Sequence, residues 1–112
     1  MDTRSKIVSA GEAESRLSHM AFLVSGWFDP MLAVHATLLD EIPEQFSVVV
    51  QIVDPPDPLL PARARAELVA ALRRVDLVIL DAGQALTPAL RLEVEEEELR
   101  AEFLAHVRER QL

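Results

Sequence analysis

Phe46-Ser47-Val48-Val49-Val50-Gln51-Ile52-Val53 is the segment that most limits what this chain can become. It is almost continuously apolar and rich in β-branched residues, with no alternation of wet and dry positions. Such a strand must be covered on both faces, as in a parallel sheet packed between helices. Two further runs share the property. Ala21-Phe22-Leu23-Val24 ends at the turn Ser25-Gly26, and Val75-Asp76-Leu77-Val78-Ile79-Leu80 lies further on.

The segments between these runs read as helices and loops. Ser9-Ala10-Gly11-Glu12 has the form of a capping box and opens a short helix through about Leu17. Asp29-Pro30 predicts a second helix start, with Asp29 capping, Pro30 at the first helical position and Pro43 closing it. Its expected apolar face is Met31, Leu38, Leu39 and Ile42. Pro55, Pro56, Pro58 and Pro61 make a stiff loop before a helix over Ala62–Arg74, which carries Leu68, Val69 and Leu72 inward. Ala82–Pro88 is a loop around Gly83. Leu90, Leu92 and Val94 alternate with Arg91 and Glu93, the period of a half-exposed edge strand. Glu95–Gln111 repeats Leu99, Phe103 and Val107 at helical spacing, with acids first and Arg108 and Arg110 last, as the helix dipole favours. The expected architecture is a single α/β domain over residues 1–112. It is a three-layer α/β/α sandwich with a mainly parallel, Rossmann-like sheet and right-handed crossovers.

Charge and composition remove several function classes. With 19 acidic against 11 basic residues and a net charge of -8, the chain would repel a phosphate backbone overall, so nucleic acid is not an expected partner. Lys6 is the only lysine. The absence of cysteine excludes disulfides, thiolate metal sites and cysteine nucleophiles. The polar amino terminus lacks the apolar core of a signal peptide, and no run approaches the roughly 20 apolar residues of a membrane span. The expectation is a soluble, cytoplasmic protein without a membrane partner.

In an open parallel sheet, ligands bind beyond the carboxyl ends of the strands. After the first long run this place is Ser25-Gly26-Trp27-Phe28-Asp29, leading into a helix amino terminus where unpaired N–H groups favour an anion. His35 lies further along that helix, Asp54 ends the next strand, and Arg63 and Arg65 open the following helix. A glycine turn, a histidine and two guanidiniums make a phosphate-binding constellation. Neither Gly-x-Gly-x-x-Gly nor a phosphate-loop Gly-Lys-Ser/Thr is present.

Each residue also has a plain structural reading. Asp29 is a helix cap, Gly26 serves the turn, Trp27 packs, and Arg63 and Arg65 are solvated residues at a helix start. His35, beside Met31, Leu38 and Leu39, is a half-buried helix residue. His19 and His106 lack partners at metal-ligand spacing, so no metal ligand is assigned. The acid run Glu95–Glu98 reads as a solvated helix start, and Ser25 lacks the motif of a nucleophile elbow.

Gly26-Trp27-Phe28-Asp29-Pro30-Met31-Leu32-Ala33-Val34-His35 resembles the Gly-x-Phe-Asp-x-x-His-x-Gly-His signature of the cytidylyltransferase-like nucleotidyltransferases. It is most similar to the sugar-phosphate (heptose) adenylyltransferase domain of lipopolysaccharide core synthesis. Lys6-Ile7-Val8-Ser9 with Glu12-Ala13, and Arg65–Leu72 with Val75-Asp76, resemble the flanking parts of that domain. The likeness therefore spans about residues 6–80, and residues 89–112 add the edge strand and the last helix.

What the resemblance implies is transfer of a nucleotidyl group from a nucleoside triphosphate to a sugar phosphate or polyol phosphate, with Mg²⁺ when active. His35 would contact the triphosphate as the catalytic residue. Gly26, Trp27, Phe28 and Asp29 would shape the nucleotide site, and Arg63 or Arg65 would supply charge. Of the signature, Gly26, Phe28, Asp29 and His35 match, whereas the first histidine falls on Leu32 and the glycine on Val34. Losing one transition-state donor costs on the order of 10²–10³ in rate, so these departures imply weakened or lost catalysis. Val34 would also push a branched side chain toward the nucleotide. The alternative is a non-catalytic domain on the same fold that binds a protein partner or forms a homodimer.

Overall fold

Backbone pairing in the computed structural model, which describes residues 2–80, 86–94, 96, 101 and 105, builds one five-stranded sheet in which every pairing is parallel. Its strands are β1 (Ile7–Val8), β2 (Ala21–Gly26), β3 (Ser47–Ile52), β4 (Val75–Ile79) and β5 (Leu90–Arg91), in the order β1-β4-β3-β2-β5. Helices α1 (Ala10–Arg16), α2 (Ala33–Asp40) and α3 (Ala62–Ala70) connect them, and Thr3–Lys6 forms a turn of 3₁₀ helix. Glu93, Val94, Glu96, Ala101 and Ala105 are helical. The α/β class and the three-layer arrangement agree with the sequence.

The alternation of side chains along each strand sorts the core into two layers. Val24, Val48, Val50 and Ile52 pack with Leu39 of α2 and Ala66, Val69 and Ala70 of α3. Val49, Leu77 and Ile79 point the other way, against Ala10 and Ala13 of α1. This division follows from handedness. The chain steps from β2 to β3 to β4 in one direction and from β1 to β2 in the other, so right-handed crossovers put α1 on the opposite face from α2 and α3. β3 and β4 slip register between Val48 and Val49, and there the Asp76 carboxylate accepts the Val48 N–H at 2.8 Å. That contact supplies a partner where the ladder is interrupted.

Some boundaries differ from the sequence reading. The two-residue strand β1 is too short to leave a pattern, and it was not expected. The second helix begins at Ala33, not at Pro30: its N-cap is Leu32, and the Asp29–Pro30 bond is cis. α3 ends at Ala70, four residues short of Arg74, whose guanidinium instead donates to the carbonyls of Ile42, Pro43 and Phe46. The expected edge strand shortens to Leu90–Arg91, because Glu93 and Val94 already belong to a helix. The expected loop at 82–88 and the helix at 95–111 lie largely outside the described residues. No helix among the described residues is long and apolar enough to cross a membrane.

Candidate functional site

The order β4-β3-β2-β5 puts a topological switch at β2: the chain leaves toward β3 on one side and returns to β5 on the other. The crevice beyond the carboxyl ends of β2 and β5 is where such sheets bind ligands. Gly26, Trp27 and Phe28 emerge there, and the residues after β5 run across it.

A buried carboxylate fills this position. Glu96 is 3% exposed, and its two oxygens accept the N–H groups of Trp27 at 2.8 Å and Phe28 at 2.7 Å. Phe28 sits at φ 49°, in the left-handed region that bulky residues seldom adopt. Two successive N–H groups converging in such a turn form an anion-binding nest. Gly26 completes it from behind. A Cβ there would stand 2.5 Å from Phe28 Cε2 and 2.7 Å from Glu96 Oε1, so only glycine lets ring and carboxylate approach this closely.

His35 is buried next to the nest, the third residue of α2. Its Nδ1 accepts the Leu32 N–H at 2.8 Å, which satisfies a free donor at the helix start and leaves the ring hydrogen on Nε2. Nε2 lies 3.2 Å from Glu96 Oε2, an ion-pair distance. The approach lacks hydrogen-bond alignment, so Nε2 is a buried nitrogen without a hydrogen-bond partner. The imidazole also packs on the Phe28 ring at 5.1 Å between centroids. On the other side of the strand, the Ser25 hydroxyl donates to Glu93 at 2.8 Å.

The two arginines part company. Arg65 is 1% exposed. Its guanidinium donates to the carbonyls of Leu60 at 3.1 Å, Trp27 at 3.1 Å and Val53 at 3.0 Å, and pairs with Asp54. It clamps the carboxyl ends of β2 and β3 to the proline loop, with its donors turned inward. Arg63 is largely exposed and pairs with Glu67. It lines a different cavity of about 370 Å³ with Ile7, Val8, Ser9, Glu12 and Leu80, at the ends of β1 and β4.

Asp29 has its own structural task. Its oxygens accept the N–H groups of Leu59 and Leu60 at 2.7 and 2.8 Å, fastening the turn to the proline loop. The helix-cap role expected from Asp29-Pro30 is thereby replaced by a long-range tie. Val34 is 39% exposed. Thus Gly26, Trp27, Phe28 and His35 come together around one point, Asp29 and Arg65 brace that group, and Arg63 is elsewhere.

Glu96 escaped the sequence reading because it sits within an acid run. One signal was present: Leu92, Glu96, Leu99, Phe103 and Val107 fall at helical spacing, so Glu96 interrupts an otherwise apolar stripe. Each oxygen of Glu96 and of Asp29 accepts one backbone N–H. Among the described residues, no group of three or more His, Asp or Glu side chains is placed to hold a metal ion.

Comparison of the chain with protein-family models, curated proteins and solved structures gives no match.

Proposed function

We propose that this chain is a nucleotidyltransferase-like domain that no longer transfers a nucleotidyl group at the Gly26–His35 cleft and serves as a binding or assembly domain. The resemblance over residues 6–80 supports the kinship, as do the parallel sheet and the Gly26-Trp27-Phe28 turn at its switch point.

The observation that carries the loss of transfer is the Glu96 carboxylate on the Trp27 and Phe28 N–H groups. A phosphate bound there would need the same donors. Two like charges about 4 Å apart repel by about 4 kcal/mol at an effective dielectric of about 20, which is roughly 10³ in affinity. Arg65 cannot offset this, because its donors already end on carbonyls and Asp54. Leu32, where the signature has its first histidine, adds no charge.

The test is incubation with each nucleoside triphosphate, Mg²⁺ and a panel of sugar and polyol phosphates, following pyrophosphate. No release above buffer is expected. Release that disappears in His35→Ala would overturn the reading.

Assembly is favoured by one further feature. β5 pairs, among the described residues, with β2 alone; its own Leu90 is 36% exposed and Val94, helical and just after it, is 73% exposed. A strand with one paired side among the described residues and exposed apolar side chains suits pairing with a second copy. Light scattering should give a mass above one chain at micromolar concentration, and a monomer throughout would remove assembly from the reading.

A further inference from the structure

We propose that Glu96 is an intramolecular ligand, a carboxylate that occupies an oxyanion site made by the Trp27 and Phe28 N–H groups and His35 Nε2. Neutralising or removing it opens that site to an external anion of the phosphate class. The inference rests on the reading above in taking Glu96 as the obstacle in the cleft, and it adds what the cleft would hold without it.

Three observations converge on the nest. Two consecutive N–H groups aim at one carboxylate, and the turn that presents them keeps a bulky residue at φ 49°. The turn is held from outside the occupant: Arg65 grips the Trp27 carbonyl, and the Phe28 ring lies in the core. Gly26 has no side chain where a Cβ would collide with both the Phe28 ring and the Glu96 carboxylate, so the ring and the occupant of the nest can close on the turn. A cradle braced in this way persists when its occupant changes.

His35 decides which anion fits better than the present one. A carboxylate is planar and has two oxygens, and Glu96 gives one to each backbone N–H. The third donor, His35 Nε2, is left 3.2 Å from Oε2 without an aligned hydrogen bond, although it is 2% exposed. Buried polar atoms in folded proteins nearly always find a partner. A tetrahedral oxyanion has a third oxygen to offer, so phosphate can serve all three donors where a carboxylate serves two. Formate, with two oxygens, should gain nothing from the histidine.

The experiment titrates ¹⁵N-labelled wild type, Glu96→Ala and Glu96→Gln with inorganic phosphate, formate and a nucleoside triphosphate, following the Trp27 and Phe28 amides and the His35 ring nitrogens. Phosphate should bind Glu96→Ala at least about tenfold more tightly than wild type, a difference of about 1.4 kcal/mol. Adding His35→Ala should weaken phosphate but leave formate unchanged. Equal affinity for phosphate and triphosphate would assign the site to a free anion, and a tighter triphosphate would assign it to a nucleotide.

If Glu96→Ala is too unstable for spectra, its thermal midpoint should rise with phosphate more than with chloride at equal ionic strength. Folded Glu96 variants whose Trp27 and Phe28 amides stay still, or a midpoint indifferent to phosphate, would overturn the proposal. The function reading is judged separately, by pyrophosphate release from the wild type, whichever way these titrations fall.

Discussion

Replacing Arg65 by methionine should remove the main brace of the sheet's carboxyl end while keeping an apolar stem of similar length. The wild-type guanidinium bonds three carbonyls, those of Trp27, Val53 and Leu60, at 3.0–3.1 Å, and it is 1% exposed. Hydrogen bonds to a charged group contribute about 1.5–3 kcal/mol each, which sets an upper bound for three of them. The fourth partner, Asp54, has a 56% exposed side chain, so that pair adds only about 0–1 kcal/mol. Water will reach some of the abandoned carbonyls, and a net loss of about 3–5 kcal/mol follows, as for breaking one side of a buried polar network. A domain holds only about 5–15 kcal/mol in total, so Arg65→Met should stay folded but with little margin. Urea denaturation should show a lower midpoint with an unchanged slope. Arg65→Lys should recover only part of the loss, because an ammonium cannot span the three carbonyls as a planar fork does. Arg63→Met is the control and should change stability by at most about 0.5 kcal/mol, as an exposed position. If Arg65→Met, like Arg63→Met, falls within about 1 kcal/mol of wild type, the buried Arg65 guanidinium does not hold the strand ends together.

Gly26→Ala should destabilise by about 1–3 kcal/mol, the usual cost of overpacking, because its Cβ meets Phe28 and Glu96 at 2.5 and 2.7 Å. Urea curves that superimpose on wild type would contradict it. Asp29→Asn should cost about 1–2 kcal/mol through one lost acceptor. It should speed hydrogen exchange at the Leu59 and Leu60 amides while leaving Ala33 and Val34 unchanged; the reverse pattern would restore Asp29 to a helix cap.

Much of the fold was legible because burial on two faces leaves a strong mark in the sequence. β3 and β4 read as strands since neither alternates, and the start of α1 was visible because its cap is local: the Ser9 hydroxyl accepts the Glu12 N–H. What was hidden depended on distance. Asp29 looked like a cap because Pro30 follows it, whereas its true partners lie thirty residues on, at Leu59 and Leu60. Arg65 read equally as a solvated residue or an anion ligand, because nothing local says that the first turn of α3 lies over the strand ends. Ile7-Val8 was too short to show a period at all. In the site, the Gly26–His35 grouping was readable from order and spacing. Its occupant was not, because composition hides one buried glutamate among solvated neighbours.

Carrying an anion on the same chain turns competition for the nest into a question of effective concentration. A short flexible tether already presents its group at about millimolar levels, and a docked helical turn loses less freedom than such a tether. Any free anion must therefore outbid a rival that never diffuses away and is not diluted as the protein is diluted. That asymmetry would leave the nest quiet in a solution rich in phosphate esters. One side chain, Glu96, would then set the threshold at which the surroundings begin to register.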